Sequence, residues 1–226
     1  MTQAGPLRWR TGLGWLVLGG GGKWETGETG DIDAAALAWA DLNRPVAVLQ
    51  AAGGTIEDGE TLLEYYAELG GPGGYVVPIP DAASAQAAEV GQSLAEAGLI
   101  YVADGPDALR LADTLRESPA LAALDHAFTT GAAIVGMGAG AAALGAWVAA
   151  PDGASLAARG WKWLPHAIAI PHFAETKMAK QWQNLLNEQP RHLGLGIPDG
   201  IALGLGPDGR VVTVGDGQVT VAVSSV

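Results

Sequence analysis

The sequence contains no cysteine, which removes disulfides, thiolate metal sites and any cysteine nucleophile at once. Glutamine-amidotransferase chemistry, which needs a thiol at a strand-to-helix elbow, is excluded with them. Basic residues are scarce: 12 Lys and Arg stand against 24 Asp and Glu, a formal charge of −12. That balance disfavours nucleic acid and anionic membrane as partners, because both attract basic surfaces. No apolar run is long enough, or free enough of turn residues, to span a bilayer. Residues 1–10 lack the basic-then-apolar-then-small order of a secretion signal, so a cytoplasmic location is expected. No residue pattern calls for a cofactor, and the four histidines show no metal-ligand spacing.

Hydrophobic residues, at 49% of 226, are ample for a sizeable core, and one α/β domain over residues 1–226 is expected. Short β-rich runs alternate with helical patterns. The strands expected are Trp15–Leu18, Pro45–Leu49, Tyr75–Ile79, Leu99–Ala103 and Ala133–Val135, with a later one at Ala167–Ile170. Helical patterns fall at about Ile32–Leu42, Gly59–Leu69, Ala85–Ala97, Pro106–Thr130 (broken at Pro119) and Ala174–Glu188, with Asp58 and Asp104 or Asp107 as N-terminal caps. Alternation of continuous apolar strands with helices predicts a three-layer, mostly parallel, flavodoxin-like sheet covered on both faces. Residues 201–223 read instead as short strands joined by turns at Pro207-Asp208-Gly209 and Gly215-Asp216-Gly217, an antiparallel edge near the C-terminus.

One segment carries the most chemistry. In Ile134-Val135-Gly136-Met137-Gly138-Ala139-Gly140-Ala141 a β-branched run enters a glycine turn and an alanine-rich helix leaves it. That is the layout of a nucleophile elbow, G-x-S-x-G, with glycine at the central position. An elbow residue sits at positive φ, which strains any residue bearing Cβ, so loss of the nucleophile relaxes the turn. The other reading is a turn that merely lets helix and sheet pack closely. The same residues fit the dinucleotide fingerprint G-x-G-x-x-A, although that motif belongs to a first βαβ unit and here follows four earlier strands. Gly19-Gly20-Gly21-Gly22-Lys23 fails as a phosphate loop because Trp24, not Ser or Thr, follows the lysine. Its backbone amides can still line a pocket at the carboxyl edge of the sheet. His172 lies just past a strand, where α/β proteins place chemistry, and a histidine there is either structural or functional.

Taken in order, these segments resemble the cyanophycinase and dipeptidase E family of serine peptidases, which share the class I glutamine amidotransferase-like fold. The resemblance runs from about residue 14 to the end. It rests on Leu16-Val17-Leu18-Gly19-Gly20, on the helix around Glu64–Gly70, on Gly136–Ala141 against Gly-x-Ser-Ala-Gly-Ala, on the pair His172-Phe173, and on Gly194-Leu195-Gly196-Ile197-Pro198-Asp199 against a later Gly-x-Gly-Ile-Asp-Glu. It implies a serine attacking a peptide carbonyl while a histidine takes its proton. Here Gly138 stands at the serine position, His172 at the histidine, and Asp152 is the candidate acid. The resemblance further implies a substrate site around Gly20, Gly21, Asp104, Gly105, Asp107, Met137, Ala139, Lys177 and Asp199. Departures cluster there. The family's Gly-Gly-Asp/Asn-Gln loop has become Asp104-Gly105-Pro106-Asp107, and the arginines expected after His-Phe are Thr176, Met178 and Gln181.

The expectation is a catalytically inactive relative binding a small acid or short peptide at the former active site, with a homodimer as the assembly. Two alternatives stand beside it. One is an active hydrolase of Asp-containing peptides, using His172 with another nucleophile (Ser84, Ser93, Ser118 or Ser155) or activated water. The other is a structural or partner-binding module.

Overall fold

A computed structural model describes residues 5–151, 153 and 155–223, except for the side chains of 175–177, 179 and 181. The chain begins with β1 (Leu16–Gly19), α1 (Gly30–Trp39), β2 (Val46–Gln50), α2 (Ile56–Glu68) and β3 (Gly74–Pro78). It continues through α3 (Ala88–Glu96), β4 (Leu99–Val102), α4 (Ala108–Leu115), α5 (Pro119–Thr129), β5 (Ala133–Met137) and α6 (Ala139–Leu144). The remainder is β6 (Trp147–Ala149), β7 (Leu156–Arg159), β8 (Ala167–Ile170), α7 (Glu175–Glu188), β9 (Leu193–Gly196), β10 (Ala202–Leu205), β11 (Val211–Val214) and β12 (Thr220–Val223).

Seven strands form the main sheet in the order β11-β10-β1-β5-β4-β2-β3. The five from β1 to β3 run parallel, while β10 and β11 are antiparallel additions beside β1. Alternate residues of each parallel strand serve opposite cores, which is why these strands read as unbroken apolar runs. Leu16, Leu18, Leu49, Ile100 and Ile134 pack with Leu94, Leu111, Leu124 and Phe128 of α3–α5. Val17, Val48, Tyr101 and Val135 face Ile32, Leu37, Leu62 and Tyr66 of α1 and α2. The expected three layers are therefore present, and among the described residues no helix is long and apolar enough to cross a membrane.

Three local pairings add to or correct the expected sheet. The strand expected at Ala167–Ile170 is present and belongs to a second sheet, β12-β9-β8, in which β8 and β9 are parallel. The C-terminal strands divide between sheets: β10 and β11 form the predicted hairpin, but β12 pairs antiparallel with β9. A third pairing, the β6–β7 hairpin, had no strand expected at all. Its strands are short and irregular, so no period of two was there to be read.

The caps also shift. Thr55, not Asp58, is the N-cap of α2, and Asp58 completes a capping box by accepting from the Thr55 backbone N–H (2.8 Å). Asp107 caps α4 through the Arg110 N–H (2.8 Å), which leaves Asp104 free for another task. Ser118 with Pro119 opens α5 and separates it from α4, as the proline predicted.

Candidate active site

The site forms at the carboxyl edge of the main sheet, where β1, β4 and β5 end side by side. Strand β5 passes into α6 through Gly138, whose φ of 47° and ψ of −108° make a sharp turn. The Gly138 N–H donates to the Gly19 carbonyl (3.1 Å), tying the elbow to the end of β1. A Cβ built on Gly138 would lie 2.0–2.3 Å from the three carboxyl atoms of Asp104. Glycine is therefore required twice here, by the backbone angle and by the space.

Asp104 follows β4 and is held by backbone donors. Its Oδ1 accepts from the Ala139 N–H (2.8 Å) and the Gly105 N–H (2.7 Å). The amide after an elbow residue is one of the two donors that bind the oxyanion in hydrolases built on such a turn. Asp104 thus places a negative oxygen on that donor and fills the volume that an elbow side chain would take.

His172 follows β8 and reaches the same point from the second sheet. Its φ of 51° is unusual for a residue with a side chain. The conformation is held by the His172 N–H donating to the Gly20 carbonyl (2.7 Å) and the Phe173 N–H donating to the Ile197 carbonyl (3.1 Å). The imidazole lies between two carboxylates, with Nδ1 2.7 Å from Asp199 Oδ1 and Nε2 3.2 Å from Asp104 Oδ2. Asp199 comes from the loop between β9 and β10, which is pinned to the first glycine loop by Gly200 N–H to Gly21 O (3.0 Å) and Gly20 N–H to Ile201 O (2.9 Å). Gly21, at φ 121°, passes directly over the ring, and a Cβ there would meet His172 Cε1 at 2.2 Å.

The electrostatics follow from this geometry. The hydrogen bond with Asp104 raises the His172 pKa against the opposing effect of burial. The Asp104 charge, and the bond and charge of Asp199, bring it to about 9. Burial pushes the Asp104 carboxyl up, but hydrogen bonds from His172, Ala139 and Gly105 more than offset this and hold it below its ordinary value. Near neutral pH the ring is an imidazolium with both N–H groups committed to carboxylates. Such a ring has no lone pair with which to take a proton.

Beside this cluster is a polar cleft of about 370 Å³, bordered by Gly21, Lys23, Glu25, Asp58, Tyr101 and Met137. Gln50, at the end of β2, also borders it, and its Oε1 is buried without a partner. On the far side, Asp107 and Pro106 border an apolar cavity with the start of the His172 loop.

Of the residues singled out from the sequence, the fold brings together Gly20, Gly21, Asp104, Gly105, Gly138, Ala139, His172 and Asp199. Met137 borders the polar cleft, and Asp107 is spent on capping α4. Asp152 and the Lys177 side chain lie outside the described residues. Asp199 lies beside His172 Nδ1, and the later Gly-x-Gly-Ile-Asp-Glu resemblance was the signal available for it. Ser84 Oγ donates to Asp81 Oδ1 (2.8 Å), and Ser118 caps α5 while its Oγ donates to the Leu115 carbonyl (2.7 Å), so both hydroxyls are engaged away from this histidine. Gln50 had no signal in the sequence; only burial without a partner marks it.

These features define an α/β fold with a sharp strand-to-helix turn at the carboxyl edge of its sheet, beside a histidine held between two carboxylates. The model of peptidase family S51 matches residues 16–211, and the chain belongs to that family. It is 30% identical over 155 residues to the cyanophycinases of Synechococcus elongatus and Thermosynechococcus vestitus, covering 65% of this chain and 48% of each relative. The chain thus spans about half the length of those curated relatives. Two solved structures share its fold. A peptidase from an acI-B1 actinobacterium aligns with a TM-score of 0.71 at 23% identity, over 94% of this chain and 95% of that one. A Listeria monocytogenes EGD-e protein assigned as peptidase E aligns with a TM-score of 0.60 at 16% identity, over 94% and 99%.

Proposed function

We propose that this chain is a single-domain, non-hydrolytic member of the S51 peptidases that retains a binding site for a short peptide. The observation carrying the reading is the Asp104 carboxylate, which stands where an elbow side chain would stand and accepts from the Ala139 and Gly105 amides. Three requirements of acyl transfer are lost together. No nucleophile sits at the elbow, the donor at Ala139 N is occupied by an internal anion, and the histidine is already protonated.

Of the two ligands expected from the sequence, the peptide is preferred to a small free acid. An acid would compete with Asp104 for the same amides beside a net negative cluster. A peptide instead offers N–H groups to carboxylates, and the acidic border of the polar cleft suits it. Exposed Val211 on edge strand β11 and Val221 and Val223 on edge strand β12 supply apolar surface for a homodimer, which sedimentation would report.

The test is hydrolysis of a dipeptide panel, read by mass spectrometry, for four proteins: native, Gly138→Ser, Asp104→Gly, and the double variant. The native chain and both single variants are expected to be inert, and the double variant to cleave. Turnover by the native protein that disappears in His172→Ala would overturn the reading and establish the active-hydrolase alternative.

A further inference from the structure

Asp104 lines the polar cleft, and a separate apolar cavity of about 220 Å³ is lined by residues that adjoin Gly105 and His172 in sequence. Its connection to the Asp104–His172 pair is covalent and short. Pro106 follows Gly105, Pro171 precedes His172, and both line the cavity. Ala142, one turn into the elbow helix, forms part of the wall. The remaining surface is hydrophobic, including Val148, Ile170, Met178 and Trp182. Asp107 is the sole charged residue among the described lining residues, and its carboxylate is turned back onto the Arg110 N–H (2.8 Å).

Size and polarity restrict what fits. An apolar cavity of about 150 Å³ stays dry and takes a benzene-sized guest, whereas whole small-molecule sites run to about 300–1,000 Å³. A space of about 220 Å³ therefore suits one branched or aromatic side chain and not a complete ligand. A carboxylate placed against Val148, Ile170 and Trp182 would give up its hydration to an apolar wall, whereas an apolar side chain loses none.

We infer that this cavity is the side-chain subsite of the peptide site, and that it selects peptides bearing an apolar residue over acidic ones. The inference rests on the peptide-binding reading above and adds the specificity. The ligand's backbone lies along Asp104 and His172, and its apolar side chain enters between Val148, Ile170, Met178 and Trp182.

The three methionines make a direct experiment possible, because Met178 lines the apolar cavity, Met137 borders the polar cleft and Met1 lies outside the described residues. Methyl-13C-methionine NMR of the native protein is titrated separately with Ac-Leu-NH2 and Ac-Asp-NH2. The expected result is a saturable shift of the Met178 methyl with the leucine amide and at least tenfold weaker binding of the aspartate amide. Met178→Arg, read at Met137 for retention of the fold and by calorimetry for binding, is expected to abolish the leucine-amide response. A Met178 methyl unmoved by saturating leucine amide overturns the inference, as does a stronger response to the aspartate amide. Neither arm depends on turnover. Hydrolysis by the native chain would end the non-hydrolytic reading while leaving a Met178 response intact.

Discussion

The carboxylate of Asp104 lies within 2.0–2.3 Å of the point where a Cβ on Gly138 would stand. The two residues are 34 positions apart in sequence and exclude each other's alternatives. A side chain at 138 needs a small residue at 104, and a carboxylate at 104 needs glycine at 138.

Stability should therefore couple the two sites. Gly138→Ala is expected to cost about 2–5 kcal/mol, from positive φ and from the clash with Asp104. Asp104→Gly in the same chain removes the clash, so the double variant should be more stable than the sum of the single effects by about 1–3 kcal/mol. Urea unfolding of the four proteins measures this; additive single effects would deny the contact.

The His172 ring should titrate at about pH 9, well above the ordinary 6.5. Because the hydrogen bond with Asp104 is the largest cause, Asp104→Asn should bring that value down markedly. NMR of the imidazole protons reports both. A native ring titrating near 6.5 would mean that the carboxylates do not hold it.

The same shift gives stability a pH dependence. The folded state binds this proton more tightly than the unfolded chain, so the contribution is complete below pH 6.5 and is lost as pH rises to about 9. Asp104 acts in the opposite direction, its contribution being lost only below its ordinary pKa of 3.8. Thermal melts between pH 6 and 10 should show a decline that His172→Gln flattens. Half-exposure of the ring keeps the effect modest.

A second buried carboxylate tests the scaffold apart from the site. Asp33 in α1 is fully buried, accepts from Thr29 Oγ1 (2.7 Å) and Tyr66 OH (2.8 Å), and burial raises its pKa. Tyr66→Phe keeps the ring but strips one donor from the carboxylate, and should cost about 1–3 kcal/mol. Chemical denaturation checks it; an unchanged midpoint would mean that the carboxyl is satisfied elsewhere.

Much of this molecule was determined by the sequence alone. The unbroken apolar runs at Val46–Leu49 and Leu99–Val102 demanded burial on both faces, and the intervening helical segments supplied the cover. The glycine at 138 and the pair His172-Phe173 disclosed the elbow and the histidine, because turn geometry and side-chain chemistry are local properties. Only the tertiary structure decided that β8 belongs to a second sheet, that Asp199 backs His172, and that Asp104 closes the elbow. Each of these depends on loops from different strands meeting at one edge. Such meetings are set by strand order and backbone pairing, which no window of sequence contains. The apolar cavity is of the same kind: its walls come from α4, α6, β6, β8 and α7, and neither its volume nor its apolar lining exists until those elements pack.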